Sequence, residues 1–329
     1  MRTDSALVIA ADKAGIAAAA RVIRQGGLVA FPTETVYGLG ADAGNANAVA
    51  RIFEAKGRPR LNPLIVHVAD LKAAERLCVF DDRARKLAAV FWPGPLTLVL
   101  PMRDGAPIAS LVTTGLKTLA VRVPAHRVAR ALLKAAGVPV AAPSANPSGR
   151  ISPTRAEHVR QMLSESLDLI LDGGPTEVGL ESTIIGCTEG PARLLRLGGI
   201  DRAAVEAVLG ETLVVEEAGE RPAAPGALAS HYAPRAPLRL NVRTVEPGET
   251  LMAFGPDLPP GADRAALVLN LSETEDLREA AAHLFDFLHR LDDARPAAIA
   301  VMTIPETGLG AAINDRLRRA AAPRPSEST

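Results

Sequence analysis

The chain has 329 residues, 48% hydrophobic and 22% charged, an ordinary globular composition that excludes a disordered or fibrous protein. At ~100–200 residues per domain the length predicts two domains, and two cysteines, Cys78 and Cys187, are too few for a disulfide scaffold or a Cys-rich zinc site. The net charge of zero hides an asymmetry: residues 1–150 carry 20 Lys and Arg against 10 Asp and Glu, residues 151–329 carry 17 against 27, so the first half is expected to meet an anion, phosphate or nucleic acid.

In chain order, 16–24 reads as a helix closed by Gly26-Gly27, and 28–31 as a buried strand stopped by Pro32. Asn47 fits an N-cap for a helix over 48–55. Strands are expected at 64–68, 96–100, 119–123 and 138–142, with helices at 82–91 and 128–136. Thr154 and Glu157 have capping-box spacing for a helix reaching Leu163. Further strands read at 169–171, 182–186 and 193–197, and the alternation predicts an α/β sheet covered by helices. The stretch 216–237 holds Pro222, Pro225, Pro234 and Pro237 and breaks that rhythm. Beyond it come strands at 238–242, 251–254 and 266–269. A long helix capped by Ser272 and Glu275 runs to about Leu291, followed by a strand at 299–304 and a helix at 311–321. The expected domains are 1–212, a Pro-rich linker 213–237, a smaller α/β domain 238–322 and a frayed tail 323–329. No apolar run approaches the ~18 residues that cross a bilayer, and the first residues carry no secretory pattern, so a cytoplasmic protein is expected.

Lys56-Gly57-Arg58-Pro59-Arg60-Leu61-Asn62-Pro63 places three cations in five residues, with no acid between Glu54 and Asp70. Gly57 and Pro59 prevent a regular helix, so side chains and backbone N–H groups can converge on a polyphosphate. The same segment also fits a basic surface loop that complements a helix C-terminus. The segment 31–40 follows a buried strand with hydroxyls and glycines. Its Gly38-Leu39-Gly40-Ala41-Asp42-Ala43 matches a loose dinucleotide pattern, but the glycines come too late after the strand for that use. The segment 141–149, with Ser144, Asn146 and Ser148 between prolines, is again a strand followed by a polar turn. Arg196 in an apolar strand suits a paired structural role as well as a ligand contact, and His67 in its strand reads most simply as a structural histidine. There is no G-x-x-x-x-G-K-[ST], no G-x-S-x-G, no H-E-x-x-H and no i, i+4 histidine pair.

Pro32-Thr33-Glu34-Thr35-Val36-Tyr37-Gly38-Leu39, Lys56-Gly57-Arg58-Pro59, Asn62-Pro63-Leu64 and Pro143-Ser144-Ala145-Asn146 with Ser148-Gly149 resemble, in order and separation, the signature segments of the YrdC family. The segment Pro225-Gly226-Ala227-Leu228-Ala229-Ser230-His231-Tyr232-Ala233-Pro234 is similar to the linker of its long, two-domain members, and the resemblance spans about residues 10–320. Where those members carry bulkier, more polar side chains, this linker has Ala227-Leu228-Ala229. The resemblance implies a twisted mixed sheet flanked by helices, plus a smaller Rossmann-like α/β domain; the latter shows no catalytic constellation in its sequence and is expected to dock or to support the lid.

As activity it implies threonylcarbamoyl-AMP synthesis from L-threonine, bicarbonate and ATP with release of pyrophosphate. The product would serve tRNA threonylcarbamoyladenosine modification beside the anticodon. Carried over by motif, Lys56, Arg58, Ser144 and Asn146 form the catalytic set. Lys56, Arg58, Asn62, Ser144 and Arg196 would hold the nucleotide, with Thr118, Ser152 and Tyr232 beside them. Thr35, His67, Arg122 and Ser182 would hold threonine, Arg122 pairing with its carboxylate. Mg2+ would ride on the ATP phosphates with no protein side chain as ligand, and the linker would close over the short-lived carbamate. The implied partners are downstream tRNA threonylcarbamoyl transferase proteins, with a weak tRNA contact and no membrane. A double-stranded RNA or tRNA-binding module is the competing reading, for which aromatics at 3% are scarce.

Overall fold

The computed structural model describes residues 6–215 and 231–323. Residues 216–230, including Ala227-Leu228-Ala229 and Ser230 of the expected lid, and residues 324–329 of the expected tail lie outside the described residues. Among the described residues the strands form two sheets. The first has eleven strands in the order Leu7–Ala10, Leu169–Asp172, Val29–Pro32, Tyr37–Asp42, Val140–Ala141, Ile65–His67, Thr118–Arg122, Leu96–Pro101, Thr183–Gly186, Arg193–Arg196 and Val214–Val215. Its pairings are both parallel and antiparallel, so the sheet is mixed. The second has four strands, Leu238–Leu240, Ile299–Val301, Thr250–Ala253 and Val268–Asn270, all parallel. The strand Val214–Val215, inside the stretch expected as linker, belongs to the first sheet.

The apolar runs explain the central strands. Leu169–Asp172 pairs in parallel on both sides, and its Leu169, Ile170 and Leu171 are buried from both faces. One face of the first sheet packs Leu64, Val66, Val121 and Ala141 against Leu77, Ala84 and Leu87 of helices Leu71–Leu77 and Asp82–Phe91. The other face packs Val29, Phe31 and Val140 against Ala19, Ile23 and Leu132 of helices Lys13–Arg24 and Arg127–Ala136.

Several expected boundaries move. The segment 31–40, expected as a polar turn after a strand, is the tip of a hairpin: residues 33–36 turn between Val29–Pro32 and Tyr37–Asp42, with Phe31 opposite Gly38 and Val29 opposite Gly40. The glycines of the loose dinucleotide pattern therefore sit within a strand. Gly40 is required there because a Cβ would come within 2.6 Å of the Phe31 ring. Asn45, not Asn47, caps Ala46–Lys56, accepting from the N–H groups of Asn47 and Ala48. The Thr154/Glu157 capping box does not form. Helix Ala156–Leu163 has no side-chain cap, and Glu157 instead binds Arg160 and Gln161, whose cations and amides compete for it on the exposed face. Asp276, not Ser272, caps Leu277–Asp293 through Arg278 and Glu279, while the Ser272 hydroxyl accepts from the N–H of Asp276 at 3.0 Å.

The two sheets share packing. Tyr232, Val36, Ile151 and Leu180 belong to one apolar cluster with Leu284, Phe285 and Ile313 of the second sheet's helices Leu277–Asp293 and Leu309–Ala321. His158 stacks on His289 across this contact with ring centroids 4.0 Å apart, and Arg155 donates to Asp286 at 2.5 Å. Gly179 (φ +70°) passes so close to Leu277–Asp293 that a Cβ would lie 2.3 Å from the Ala281 carbonyl oxygen. No helix among the described residues is long and apolar enough to cross a membrane.

Gly179→Ala is expected to lower the unfolding free energy by about 1–3 kcal/mol, since both the left-handed backbone and the helix contact resist a side chain. Chemical denaturation checks this, and an unchanged midpoint would contradict the close approach.

Candidate active site

Beyond helices Lys13–Arg24 and Arg127–Ala136, the same face of the first sheet carries Gly38, Ala142 and Ile65, and they floor a cavity. The cavity therefore lies across the sheet face rather than only beyond strand ends. His67 and Arg122 stand in register on neighbouring parallel strands and line it from the same side as Ile65. The hairpin turn contributes Thr33, Thr35 and Val36, and the turn after Val140–Ala141 contributes Pro143 and Ser144. Arg58, Glu181, Ser182, Arg196, His231 and Tyr232 complete the wall.

Arg58 is brought inward by a helix ending. Gly57 takes the left-handed conformation after Ala46–Lys56, and the Arg58 N–H closes back on the Phe53 carbonyl at 2.9 Å. Lys56 and Arg58 are buried while Arg60 is exposed, so the basic turn is no solvated surface loop. The Arg58 guanidinium donates to the carbonyls of Asn62 (3.1 Å) and Pro63 (2.8 Å). Burial first, and then the charge of Arg196, push its pKa down to about 9. Arg196 is lowered to about 10, chiefly by burial, and donates to the Ser182 carbonyl at 2.8 Å and hydroxyl at 3.1 Å. A cavity that makes arginine charge this unfavourable is one an anion would relieve.

On the other side Arg122 is anchored through each of its three nitrogens. It donates to the Glu34 carboxylate at 2.6 Å, the Thr35 hydroxyl at 2.9 Å and the Gly94 carbonyl at 3.2 Å. Glu34's second oxygen accepts from the Ala125 N–H at 3.1 Å. Burial opposes ionisation of Glu34, but Arg122 outweighs it and holds the carboxyl below its ordinary value. His67 packs edge-on to Phe31 at 6.3 Å, and its buried Nδ1 has no partner. Burial, then Arg122, press its pKa down to about 3, leaving a neutral imidazole. Ser182 shares a hydrogen bond with Thr97 at 2.7 Å.

The structure thus brings Thr35, Arg58, His67, Arg122, Ser144, Ser182, Arg196 and Tyr232 to one cavity. Other expected residues stand behind it. Lys56 is not a lining residue: its ammonium donates to the main-chain carbonyls of Ser144 (2.5 Å) and Asn146, which tethers the turn bearing Ser144. Asn146 gives its amide hydrogens to the Pro147 and Arg150 carbonyls, both at 2.9 Å. Asn62 is buried with neither side-chain nitrogen nor oxygen partnered. Ser152 donates to Glu181 at 2.6 Å. Thr118 begins the strand that Arg122 ends and is not among the lining residues.

Four groups were not nominated from sequence. Glu34 and Glu181 are acids in a basic site, a combination that charge patterning counts against. His231 was quoted only within the linker motif. Arg316 lies in a helix whose last turn is basic, a pattern that reads as a solvated face, yet it is completely buried and donates to Glu181 at 2.9 Å.

Because the Glu34 carboxyl ionises below its usual 4.5 in the folded chain, its stabilising contribution is complete above that value and is lost as the pH falls through the lower, folded-state pKa. Glu34→Gln is expected to lower stability at pH 7 by about 3 kcal/mol and to flatten the acid limb of the stability–pH curve below pH 4.5. Denaturant titrations from pH 3 to 7 check this, and a wild-type acid limb in the variant would contradict it.

A family model described as "Telomere recombination" (Sua5/YciO/YrdC) matches residues 21–198, and one described as "Threonylcarbamoyl-AMP synthase, C-terminal domain" matches residues 200–322. A Bacillus subtilis (strain 168) protein named threonylcarbamoyl-AMP synthase is 43% identical over 324 residues, covering 94% of this chain and 93% of its own. A Pyrococcus abyssi protein of the same name is 43% identical over 322 residues, 92% of each chain. Among solved structures, P. abyssi Sua5 complexed with L-threonine superposes with a TM-score of 0.88 at 39% identity, covering 96% of this chain and 97% of that one. E. coli YciO, 25% identical with a TM-score of 0.54, covers 60% of this chain and 96% of its own. With one model across most of the first sheet and the other across all of the second, the chain belongs to the Sua5/YciO/YrdC family, in the form that carries the Sua5 C-terminal domain.

Proposed function

We propose that the chain is a threonylcarbamoyl-AMP synthase, an enzyme of the nucleotidyltransferase type. It joins L-threonine, bicarbonate and ATP into threonylcarbamoyl-adenylate and pyrophosphate. The name shared by the B. subtilis and P. abyssi relatives supports this, as does the L-threonine bound in the P. abyssi structure. The observation that carries it is one cavity in which buried Arg58 and Arg196 face the His67, Arg122 and Ser182 side chains.

The threonine amine adds to the bicarbonate carbon with loss of water to give a carbamate. A carbamate oxygen then attacks the α-phosphorus, and the bond from that phosphorus to the β-phosphate bridging oxygen breaks to release pyrophosphate. Both reactants are anions, so positioning and charge neutralisation supply most of the catalysis. Arg122, oriented by Glu34, receives the threonine carboxylate, with Thr35, Ser182 and the unpartnered Nδ1 of His67 around its polar groups. Arg58, Arg196 and Ser144 receive the phosphates. Lys56 and Asn146 act by holding the Ser144 turn, and a nucleotide contact by Asn62, which stands behind the cavity with its amide unpartnered, rests on the sequence motif. Tyr232 closes the wall. Nucleotide contacts by Thr118 and Ser152 rest on the sequence motif.

Mg2+ fits as a passenger of the ATP phosphates: the wall's carboxylate, Glu181, is taken up by Arg316 and Ser152, and Glu34 by Arg122. When bound it would neutralise phosphate charge. We assign this chemistry to residues 1–212 with the edge strand Val214–Val215, the remainder of 213–237 as linker and lid and 238–322 as its support, in a cytoplasmic protein. The adenylate, a reactive mixed anhydride, passes to tRNA threonylcarbamoyl transferase proteins for modification beside the anticodon. An RNA-binding module, or a weak tRNA contact, has less behind it, since Arg58, Arg122 and Arg196 are all buried.

Pyrophosphate release is expected to need all three substrates, and Arg58→Ala is expected to lower kcat by about 100-fold or more. Release from ATP without threonine, or a wild-type rate in Arg58→Ala, would overturn the assignment.

A further inference from the structure

The helices of the second sheet meet the cavity wall through apolar contacts, such as Phe285 stacked on Tyr232, and through the Arg316–Glu181 ion pair. Arg316, on helix Leu309–Ala321, is 0% exposed and is the largest fully buried side chain of the described residues. Its Nε donates to one Glu181 oxygen at 2.9 Å, one terminal nitrogen to the Leu197 carbonyl at 2.7 Å and the other to Asp315 at 2.7 Å. Its guanidinium also lies over the Tyr232 ring, 5.2 Å from the centroid. The other Glu181 oxygen accepts from Ser152 at 2.6 Å, and Glu181 and Tyr232 both line the cavity. Packing alone does not call for this. Ile313, Leu317 and Ala320 on the same helix fill the apolar contact, and a fully buried ion pair gains little stability over an apolar side chain of similar size. What the fork does give is geometry, because a planar guanidinium fixes the carboxylate it grips.

We propose that Arg316 is a positioning residue through which the second domain holds Glu181, and with it Ser152 and Tyr232, in the nucleotide half of the cavity. This rests on the assignment of that half to ATP. Arg122, assigned to the threonine carboxylate, is braced separately by Glu34, which also accepts from the Ala125 N–H; Ser182, bonded to Arg196, joins the two halves, so loss of Arg316 should weaken threonine binding less than nucleotide binding.

Calorimetric titration of the full chain with a non-hydrolysable ATP analogue and, separately, with L-threonine tests this in Arg316→Met, Arg316→Lys and Glu181→Gln. It also includes the Arg316→Met/Glu181→Gln double variant, which removes both buried charges together and so remains foldable if Arg316→Met alone is not. Arg316→Met is expected to weaken analogue binding at least tenfold while threonine binding changes less than threefold. Arg316→Lys, which keeps the charge but not the planar fork, should recover only a minor part of the loss, and the double variant should bind the analogue no worse than Glu181→Gln. Equal loss for both ligands, or a further tenfold loss when Arg316→Met is added to Glu181→Gln, would overturn the proposal. A wild-type chain that binds the analogue but releases no pyrophosphate would overturn the synthase reading while this comparison still decides the role of Arg316. A wild-type chain that does not bind the analogue would overturn both.

Discussion

Positive charge gathered on buried side chains around one cavity is the constraint from which the rest of the structure follows. Of the buried arginines around it, Arg122 is matched by Glu34 and Arg316 by Glu181, while Arg58 rests on the dipoles of two carbonyls. Carbonyl dipoles orient a guanidinium without cancelling its charge, and desolvation makes the remainder costly. A folded chain retains such an arrangement when an anion completes it. Two mutually repelling anions, a nucleoside triphosphate and a carbamate, are what that arrangement is suited to bring together.

The backbone is shaped to allow this. A strand with glycines at 38 and 40 lets Phe31 and the floor residues approach closely, which opens room on a sheet face that bulky aliphatics would fill. A left-handed glycine ends helix Ala46–Lys56 so that Arg58 turns inward and Lys56 reaches across to the Ser144 turn. The second domain's helices pack on Val36, Leu180 and Tyr232, so the wall of the cavity and the core of the second domain are one apolar cluster. Binding and domain packing are therefore physically linked in this fold.

Much of this was legible in the amino-acid sequence, and the failures have physical reasons. Short aliphatic runs such as 96–100 and 169–171 read as strands because only buried strands are that apolar for that length, and the cation-rich turn at 56–60 stood out because glycine and proline deny it a helix. The strand at 37–42 was missed because its glycines are selected by contacts across the sheet, which local pattern does not contain. The caps at 45 and 276 were misplaced because neighbouring Asn, Ser and Asp residues compete for one role and tertiary geometry decides between them. Arg316 carries no mark of its role in the sequence, since amphipathic spacing cannot distinguish a helix face that meets water from one that meets another domain's carboxylate.

Thermal unfolding of the wild-type chain and of Arg58→Met in the presence of ATP, pyrophosphate or adenosine tests the uncompensated charge most directly. Ligands that bind only the folded state stabilise it by about 2.7 kcal/mol at a hundredfold excess over Kd, a shift of several degrees. ATP and pyrophosphate, but not adenosine alone, should raise the wild-type midpoint by that order, and Arg58→Met should lose the shift. An equal shift with adenosine, or an undiminished response to pyrophosphate in Arg58→Met, would contradict the claim that buried positive charge is what the cavity presents to its ligand.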